Sequence, residues 1–564
     1  MTLFERILKA RGLDTDGSDA FLKPDYSKGH DPFLLPDMQK AVDRLVLARA
    51  KQERITIYGD YDIDGLTATT LLLEALTSFG FRFVETFIPN RFVEGYGMTV
   101  DAVERIAASG AELIITVDCG SLSEKEIIRA GELGVDVIVT DHHNVAPKQP
   151  PAVAVINPKR LLADNPIYYK DLRLIKKPAK KQLYPFLDLP GVGVAFKLVQ
   201  ALQTKLDGIP FGQEKWLLDL VALGTVCDVV TLVDENRTHV FWGLEVLAKT
   251  RRPGLKALMA VSRVEPEKLN ARSLGFALGP RMNASGRLET AQYSLEMLTA
   301  KDGMLALEKA EQLDAMNLER RAEQDRIFKE AIVKAEQYKY DSVLVVSGVG
   351  WSHGIIGIVA AKLLEKYKKP TYVLEELGEE SKGSARSYGD FSAADAIRAS
   401  DDIITKGGGH RLAAGVTMPT VCIDLFRKRV NEYFNSLDLP PQPPLLLPRE
   451  DVLIEDFSEI NEELIEQISA LEPFGNGNSE PILKIAEVTV VDMRRMGADD
   501  QHVKLSLRDA TGTVLQMIAF NAEPSWFLDI GEMAAAWFHP MINEWQGRTT
   551  VEGRLVNLEV SQIL

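Results

Sequence analysis

Arg54-Ile-Thr-Ile-Tyr58 runs directly into Gly59-Asp-Tyr-Asp-Ile-Asp-Gly65, and an apolar stretch over 66–79 follows. The first five residues read as a buried strand and the last stretch as a helix, joined by the acid-rich turn. The alternation continues. Residues 83–88, 112–117 and 135–139 read as strands, and 100–108 and 124–133 as helices. This pattern predicts βαβ units, and hence an α/β fold on a parallel sheet with right-handed crossovers.

In such a sheet, ligands bind at the carboxyl ends of the strands. Asp60, Asp62 and Asp64 leave the first strand, Asp118 leaves a later one, and Asp141, His142 and His143 leave the next. In an extended turn the three alternating aspartates are expected to point to one side. One of them would be an ordinary helix N-cap. Three, with a fourth aspartate and Asp-His-His, exceed what capping needs. An EF-hand does not fit, because the twelfth position from Asp60 is Leu71 instead of Glu. So many carboxylates stay ionised together only around cations. Oxygen and imidazole ligands suit Mn2+ or Mg2+, and a pair of such ions clamps a phosphoryl group and activates water.

Outward from this core, the chain divides. Residues 1–300 read as the α/β domain with a helical portion. Residues 301–340 read as one long connecting helix, with no Gly or Pro between Met304 and Tyr338. A second α/β domain spans 341–438, a proline-rich linker 439–448, and short strands suited to a small β-barrel fill 449–564. Four such regions fit 564 residues at about 150 per domain. A basic run over 170–181 lies in a proline-rich excursion and reads as a solvated loop.

Composition bounds the function. Apolar residues at 46% and charged residues at 26% exclude a disordered or low-complexity chain. A net charge of −16 argues against a surface coated with phosphate-binding cations. Cys119, Cys227 and Cys422 form no C-x-x-C pair, so neither a disulfide framework nor a zinc knuckle is expected. Cys119 and Cys227 read as core residues. With no basic-then-apolar leader and no apolar run of about 20 residues, a soluble cytoplasmic protein without a membrane partner is expected.

Phosphate-binding candidates lie elsewhere. In Gly383-Ser-Ala-Arg-Ser387, Arg386 offers a rigid fork and Ser384 a hydroxyl. Gly407-Gly408-Gly409-His410 could converge backbone amides on an anion. Arg91 and Arg281 are further cations. In the barrel, Arg494, Arg495, His502, Lys504 and Phe520 are candidates for a groove that binds single strands.

Gly59-Asp-Tyr-Asp-Ile-Asp-Gly-Leu-Thr67, Val117-Asp-Cys-Gly120, Asp141-His-His143 and Leu223-Gly-Thr-Val-Cys-Asp-Val-Val230 resemble the four ordered motifs of the DHH phosphoesterase superfamily. Gly407-Gly-Gly-His-Arg-Leu-Ala-Ala-Gly415 resembles the signature of its DHHA1 partner domain. Gly191-Val-Gly-Val-Ala-Phe-Lys197, Gly279-Pro-Arg-Met-Asn-Ala-Ser-Gly-Arg287 and Pro473-Phe-Gly-Asn-Gly-Asn478 are similar to the RecJ family within it. One departure is Trp351-Ser-His-Gly354, where the family has Trp-His-Pro-Gly, so His353 is displaced by one position.

The resemblance implies metal ligands at Asp62, Asp64, Asp118, His142 and Asp228, with Asp118 bridging two ions and Asp60 a ligand or close behind. It implies that His143 contacts the scissile phosphate and assists proton transfer, and that Asp141 orients the histidines. Ser384, Arg386, Gly408, Gly409 and His410, with Arg91 and Arg281, would hold substrate. The implied activity is 5′→3′ hydrolysis of single-stranded DNA to 5′-mononucleotides, with two Mn2+ or Mg2+ ions, in DNA repair and recombination. The implied C-terminal module is an oligonucleotide-binding (OB) barrel. The implied partners of this monomer are a single-strand-binding protein and a RecQ-type helicase. Two other readings are hydrolysis of nano-RNA or cyclic dinucleotides, whose shorter enzymes lack the barrel, and a non-catalytic single-strand-binding scaffold. The complete acid set argues against the scaffold.

Overall fold

The computed structural model describes residues 1–14, 18–160, 169–170, 173–174, 184–437, 439, 448–497, 500–545 and 547–560. The basic run over 170–181 and the linker over 439–448 therefore fall largely outside the described residues. The chain forms two units, one of residues 30–230 and 234–446, the other of 1–29, 231–233 and 447–564.

In the larger unit the first sheet has strands β1 (Ile55–Tyr58), β2 (Val84–Phe87), β3 (Leu113–Val117), β4 (Asp136–Thr140) and β5 (Ala154–Ile156). All are parallel, in the order β2-β1-β3-β4-β5. β1 and β3 are buried along their whole length. That is why they are continuous apolar runs and not alternating ones. Helices α1 (Ile63–Ser78), α2 (Val100–Ala108) and α3 (Glu124–Glu132) make the crossovers. A helical layer follows, including α4 (Gly191–Leu202), α5 (Leu218–Cys227) and α6 (Gly279–Leu288).

The long helix α7 runs over Gly303–Ala335. It is less solvated than a bare connector, since Ile327, Ala331 and Ala335 sit in an apolar cluster with Leu344, Val346 and Trp351. The second sheet contains β6 (Leu344–Val349), β7 (Thr371–Leu377), β8 (Glu380–Arg386), β9 (Lys406–Gly409) and β10 (Ala413–Pro419), in the order β9-β10-β8-β7-β6. Only β6 and β7 pair in parallel. Helix α8 (Ile356–Tyr367) covers it.

The smaller unit closes a five-stranded barrel from β12 (Leu483–Met496), β13 (His502–Arg508), β14 (Val514–Ala519), β15 (Met533–Trp545) and β16 (Arg548–Val560), with β11 (Val452–Ile454) added beside β12. Closure removes the sheet edges. Residues 1–29, assigned above to the first domain, belong to this unit instead. Leu3 and Ile7 are buried among Ile454, Leu464 and Leu483. That long-range packing leaves no trace in local pattern. Among the described residues no helix is long and apolar enough to cross a membrane.

Candidate metal centre

The carboxyl ends of β1, β3 and β4 converge on one rim. After β1 the chain bends at Tyr61 and Asp62, and Asp62 caps α1 by accepting from the Gly65 amide at 3.1 Å. The helix then begins at Ile63, so Asp64 already lies in its first turn. This early turn splits the acid triplet. Asp60 and Asp62 group with Asp118, whereas Asp64 groups with His142 and Asp228. A third group, Asp118 with His142 and His143, links the two. In each group the ligand-type atoms lie within 4.8 Å of one another.

Asp118 joins the groups. It follows β3 with φ +61°, a left-handed conformation that Asp tolerates better than most residues. Its Oδ1 lies 3.1 Å from His142 Nε2, which in turn lies 3.6 Å from Asp228 and 3.8 Å from Asp64. Asp228 ends α5 as its C-cap, and Val229 follows at φ +60°.

Asp60, Asp64, Asp118 and His142 are buried. Burial, then the charge of Asp62, raises the Asp64 carboxyl to about 7. Burial, then Asp64 and Asp62, raises Asp228 to about 9. Burial, then Asp64, pushes Asp118 far above the carboxylate range, and burial, then Asp62, does the same to Asp60. Burial, then the neighbouring His143, lowers His142 to about 3, so its ring is neutral and able to act as a ligand.

Four buried atoms here have no hydrogen-bond partner: Asp60 Oδ1, Asp118 Oδ1, His142 Nε2 and Asp228 Oδ2. Leaving one such atom unpaired costs about 1–3 kcal/mol. All four are oxygen or imidazole ligand types, and divalent cations at this rim would satisfy them together. The residues present therefore fit the ions expected from the sequence.

Asp141 builds the turn behind them. Its Oδ2 accepts from the Ser121 amide at 2.9 Å, and its Oδ1 from the His142 and His143 amides and from His143 Nδ1. It thus fixes the His143 ring directly. The His142 ring instead hydrogen-bonds the Leu189 backbone. Cys119 is buried in the apolar cluster with Tyr58 and Val139, with Sγ 4.0 Å from the Tyr58 carbonyl. Cys227 Sγ lies 3.7 Å from the Leu274 carbonyl.

The phosphate-binding candidates separate into two kinds. Arg386 donates to Ser384 Oγ and to the Ala385 carbonyl, and both side chains lie against Gly357 in the first turn of α8. Arg91 stacks over Tyr61 at 4.3 Å. Arg281, in contrast, is held by Asp314 at 2.7 Å and by the Ala277 carbonyl, so its fork is already used on α7. Gly407, Gly408 and Gly409 are exposed, and Gly409 takes φ +138°. They lie in the exposed strand β9, extended because they pair with Ala414–Val416 of β10. His410 follows, and burial, then the charges of His143 and Lys159, lowers its pKa, which places it in electrostatic reach of the DHH turn. His353 is bound to Glu375 through both its amide and Nδ1. In the barrel, Arg494 and Lys504 face each other across β12 and β13, and His502 packs edge-on against the exposed Phe520. Lys504 is paired with Glu552, and Arg495 stacks on Phe527.

Several residues at the rim escaped sequence reasoning. Tyr96 Oη lies 3.1 Å from His143 Nδ1. Asn157, fully buried, donates to the His143 carbonyl and to Ser121 Oγ, and accepts from the Lys159 amide. Arg287 donates to the Gly354 carbonyl. Burial, then repulsion from Arg91, Arg320 and Arg386, lowers its guanidinium to about 9. Four arginines thus share one region. Among the described residues their hydrogen bonds go to neutral groups such as Asn317, Gln324 and Ser384, and none of the four is ion-paired. Arg287 closes the family-like motif of residues 279–287, whereas for Tyr96 and Asn157 the only signal is position. Tyr96 is flanked by glycines, and Asn157 follows β5 at the same sheet edge.

Comparison with known proteins agrees with this architecture. The DHH family N-terminal domain matches residues 54–225, the DHHA1 domain 340–436 and the RecJ OB domain 453–557. The chain is 36% identical over 579 residues to the single-stranded-DNA-specific exonuclease RecJ of Bacillus subtilis (strain 168), covering 99% of this chain and 68% of that one. It is 33% identical over 535 residues to RecJ of Salmonella typhimurium (strain LT2), covering 91% and 88%. The crystal structure of RecJ in complex with Mn2+ from Thermus thermophilus matches at TM-score 0.82 and 26% identity, over 100% of this chain and 76% of that chain. With the three domains in this order and an acid-and-imidazole rim in the first of them, the chain belongs to the RecJ family of single-stranded-DNA-specific exonucleases.

Proposed function

We propose that this chain is a metal-dependent 5′→3′ exonuclease that hydrolyses single-stranded DNA to 5′-mononucleotides, in DNA repair and recombination. The observation that carries the reading is the four buried ligand atoms without partners at the rim. In this reading Asp60, Asp62 and Asp118 would hold one divalent cation, and Asp64, His142 and Asp228 the other. The Mn2+ complex of the Thermus thermophilus relative supports the choice of ion. Such ions, Mn2+ or Mg2+, polarise a phosphodiester and lower the pKa of water.

The chain's own groups do the rest. His143, one-third exposed and held at Nδ1, presents its other ring nitrogen for contact with the scissile phosphate and for proton transfer. Lys159 adds positive charge on the same side, and His410, its pKa lowered by burial, offers a neutral ring for hydrogen bonding. The unpaired fork of Arg386, with Ser384, Arg91 and Arg287, holds the 5′-terminal phosphate, and this sets the polarity. Arg494, His502 and Phe520 on the barrel offer charge and stacking to the strand. The 5′ end of a single strand is the substrate. A single-strand-binding protein and a RecQ-type helicase are the protein partners that family membership supports, and the chain acts as a monomer.

The test uses end-labelled single-stranded and duplex DNA with Mn2+, Mg2+ or EDTA. Loss of the 5′ label as mononucleotide, from single strands and only with metal, is expected. Turnover confined to dinucleotides would replace the substrate class. Metal and strand binding without turnover would make the chain a scaffold.

Asp141→Asn tests the turn. The amide keeps one acceptor, but its NH2 group then meets either the Ser121 amide or the three donors on Oδ1. Turnover is expected to fall about 10–100-fold, because the His143 ring loses the carboxylate that orients it. Steady-state rates at saturating Mn2+ give the answer, and an unchanged rate would remove Asp141 from the site.

A further inference from the structure

Helix α4 has no side-chain N-cap of its own, and Pro190 precedes it. Its first two amides are satisfied from another helix. Gly191 N donates to Asp64 Oδ2 at 2.6 Å and Val192 N to Asp64 Oδ1 at 2.8 Å. Asp64 is therefore both the N-cap of α4 and a member of the acid set. The amides and the positive end of the helix favour its ionised form. Both oxygens are aimed by backbone, which is stiffer than any side chain that could take this part.

Gly191 makes the approach possible. A Cβ there would lie 2.7 Å from Asp118 Cβ and 2.9 Å from Asp118 Cγ and Oδ1. The first turn of α4 thus fills the space between Asp64, which it grips, and Asp118, which it touches. A second close contact locks the arrangement. A Cβ on Gly224 of α5 would meet Thr67 Oγ1 at 2.4 Å, Val192 Cγ1 at 2.7 Å and Asp64 Oδ1 at 3.1 Å. α5 carries Asp228 at its end.

We propose that Gly191 is a positioning residue, which lets the first turn of α4 set the spacing between the Asp64 group and Asp118. This rests on the two-cation reading above. An alanine at 191 must displace either Asp118 or the amides that hold Asp64. Either way the two groups lose their common geometry while the rest of the helix is unaffected.

The test titrates Mn2+ into the full chain, by calorimetry and by the electron paramagnetic resonance signal of exchange-coupled Mn2+. Gly191→Ala is expected to bind Mn2+ at least about ten-fold more weakly and to lose the coupled signal. Gly193→Ala is the control on the same helix, because its Cβ meets Pro190 and Leu189 instead of an acid. It should behave as wild type. Wild-type Mn2+ binding in a folded Gly191→Ala chain, or equal loss in both variants, overturns the proposal.

If Gly191→Ala does not fold, amide hydrogen exchange over residues 191–192 without metal decides. Asp64→Ala should speed it about ten-fold or more while Asp228→Ala does not, and unchanged exchange in Asp64→Ala overturns the proposal. Should wild type bind no Mn2+ at all, the two-cation reading fails. The same exchange result then still decides whether α4 holds Asp64.

Discussion

Asp118→Asn is expected to lower single-strand hydrolysis by roughly a thousand-fold or more, at the upper end of what one aimed electrostatic group is worth, while strand binding survives. Asn is the informative change. At φ +61° it keeps a conformation that Ala would hold only at a cost of about 1–2 kcal/mol. Its amide keeps the shape of the side chain and removes only the charge. That charge sits where both ligand groups meet, with Oδ1 unpartnered and 3.1 Å from His142 Nε2. The metal-free protein should gain stability from the change. Burial and the charges of Asp64, Asp62 and Asp228 all oppose ionisation of Asp118, so a neutral residue relieves repulsion. The expected pattern is therefore a higher melting temperature without metal, a smaller rise on adding Mn2+, and no turnover. A site retained for function at the expense of stability gives that pattern. Substantial turnover in Asp118→Asn would sink the assignment of the bridge.

Residues 54–65 were legible because local rules agreed there. An apolar run, a glycine-bounded turn and an apolar helix leave one arrangement, and the rim of a parallel sheet follows from topology. The partition of the acids was not legible. It depends on whether the helix starts before or after Asp64, a matter of one or two residues that local pattern does not resolve. Asp228 shows a different limit. It is a helix C-cap that nothing in its own neighbourhood marks, and only the family motif pointed to it. The surroundings of two other candidates were hidden because they are tertiary. Arg281 looked free until Asp314, thirty-three residues away, was seen to hold it. Nothing local shows that the triple glycine pairs as a strand with β10. The net charge of −16 misled in the same way. Charges that matter to a strand of DNA are gathered by the fold, and their sum over the chain is blind to that.

Arg386→Ala is expected to remove the preference for a 5′-phosphorylated end. The energetics of the cluster point to a ligand. Arg91, Arg287, Arg320 and Arg386 lie close enough that the other three lower the pKa of Arg287, and none has a carboxylate partner among the described residues. Arg91 Nε and Arg320 Nε are buried with no hydrogen-bond partner. Such an arrangement is costly in the free protein, is offset in part by the charges of Asp60 and Asp62, and favours an anion carrying more than one charge, as a terminal phosphate does. A charge-assisted hydrogen bond is worth about 1.5–3 kcal/mol, or roughly 10–150-fold in rate. Arg386→Ala should therefore slow hydrolysis of a 5′-phosphorylated strand by about that factor and barely change hydrolysis of a 5′-hydroxyl strand. Arg386→Lys should not rescue it, because a point charge lacks the planar fork that Ser384 and α8 orient. Stability offers a second, independent readout. Removing a half-buried cation without a carboxylate partner should leave the melting temperature unchanged or raise it, whereas loss of a structural arginine lowers it. Equal slowing on phosphorylated and hydroxyl ends, together with a lower melting temperature, would assign Arg386 to the fold and move the terminal phosphate elsewhere in the cleft.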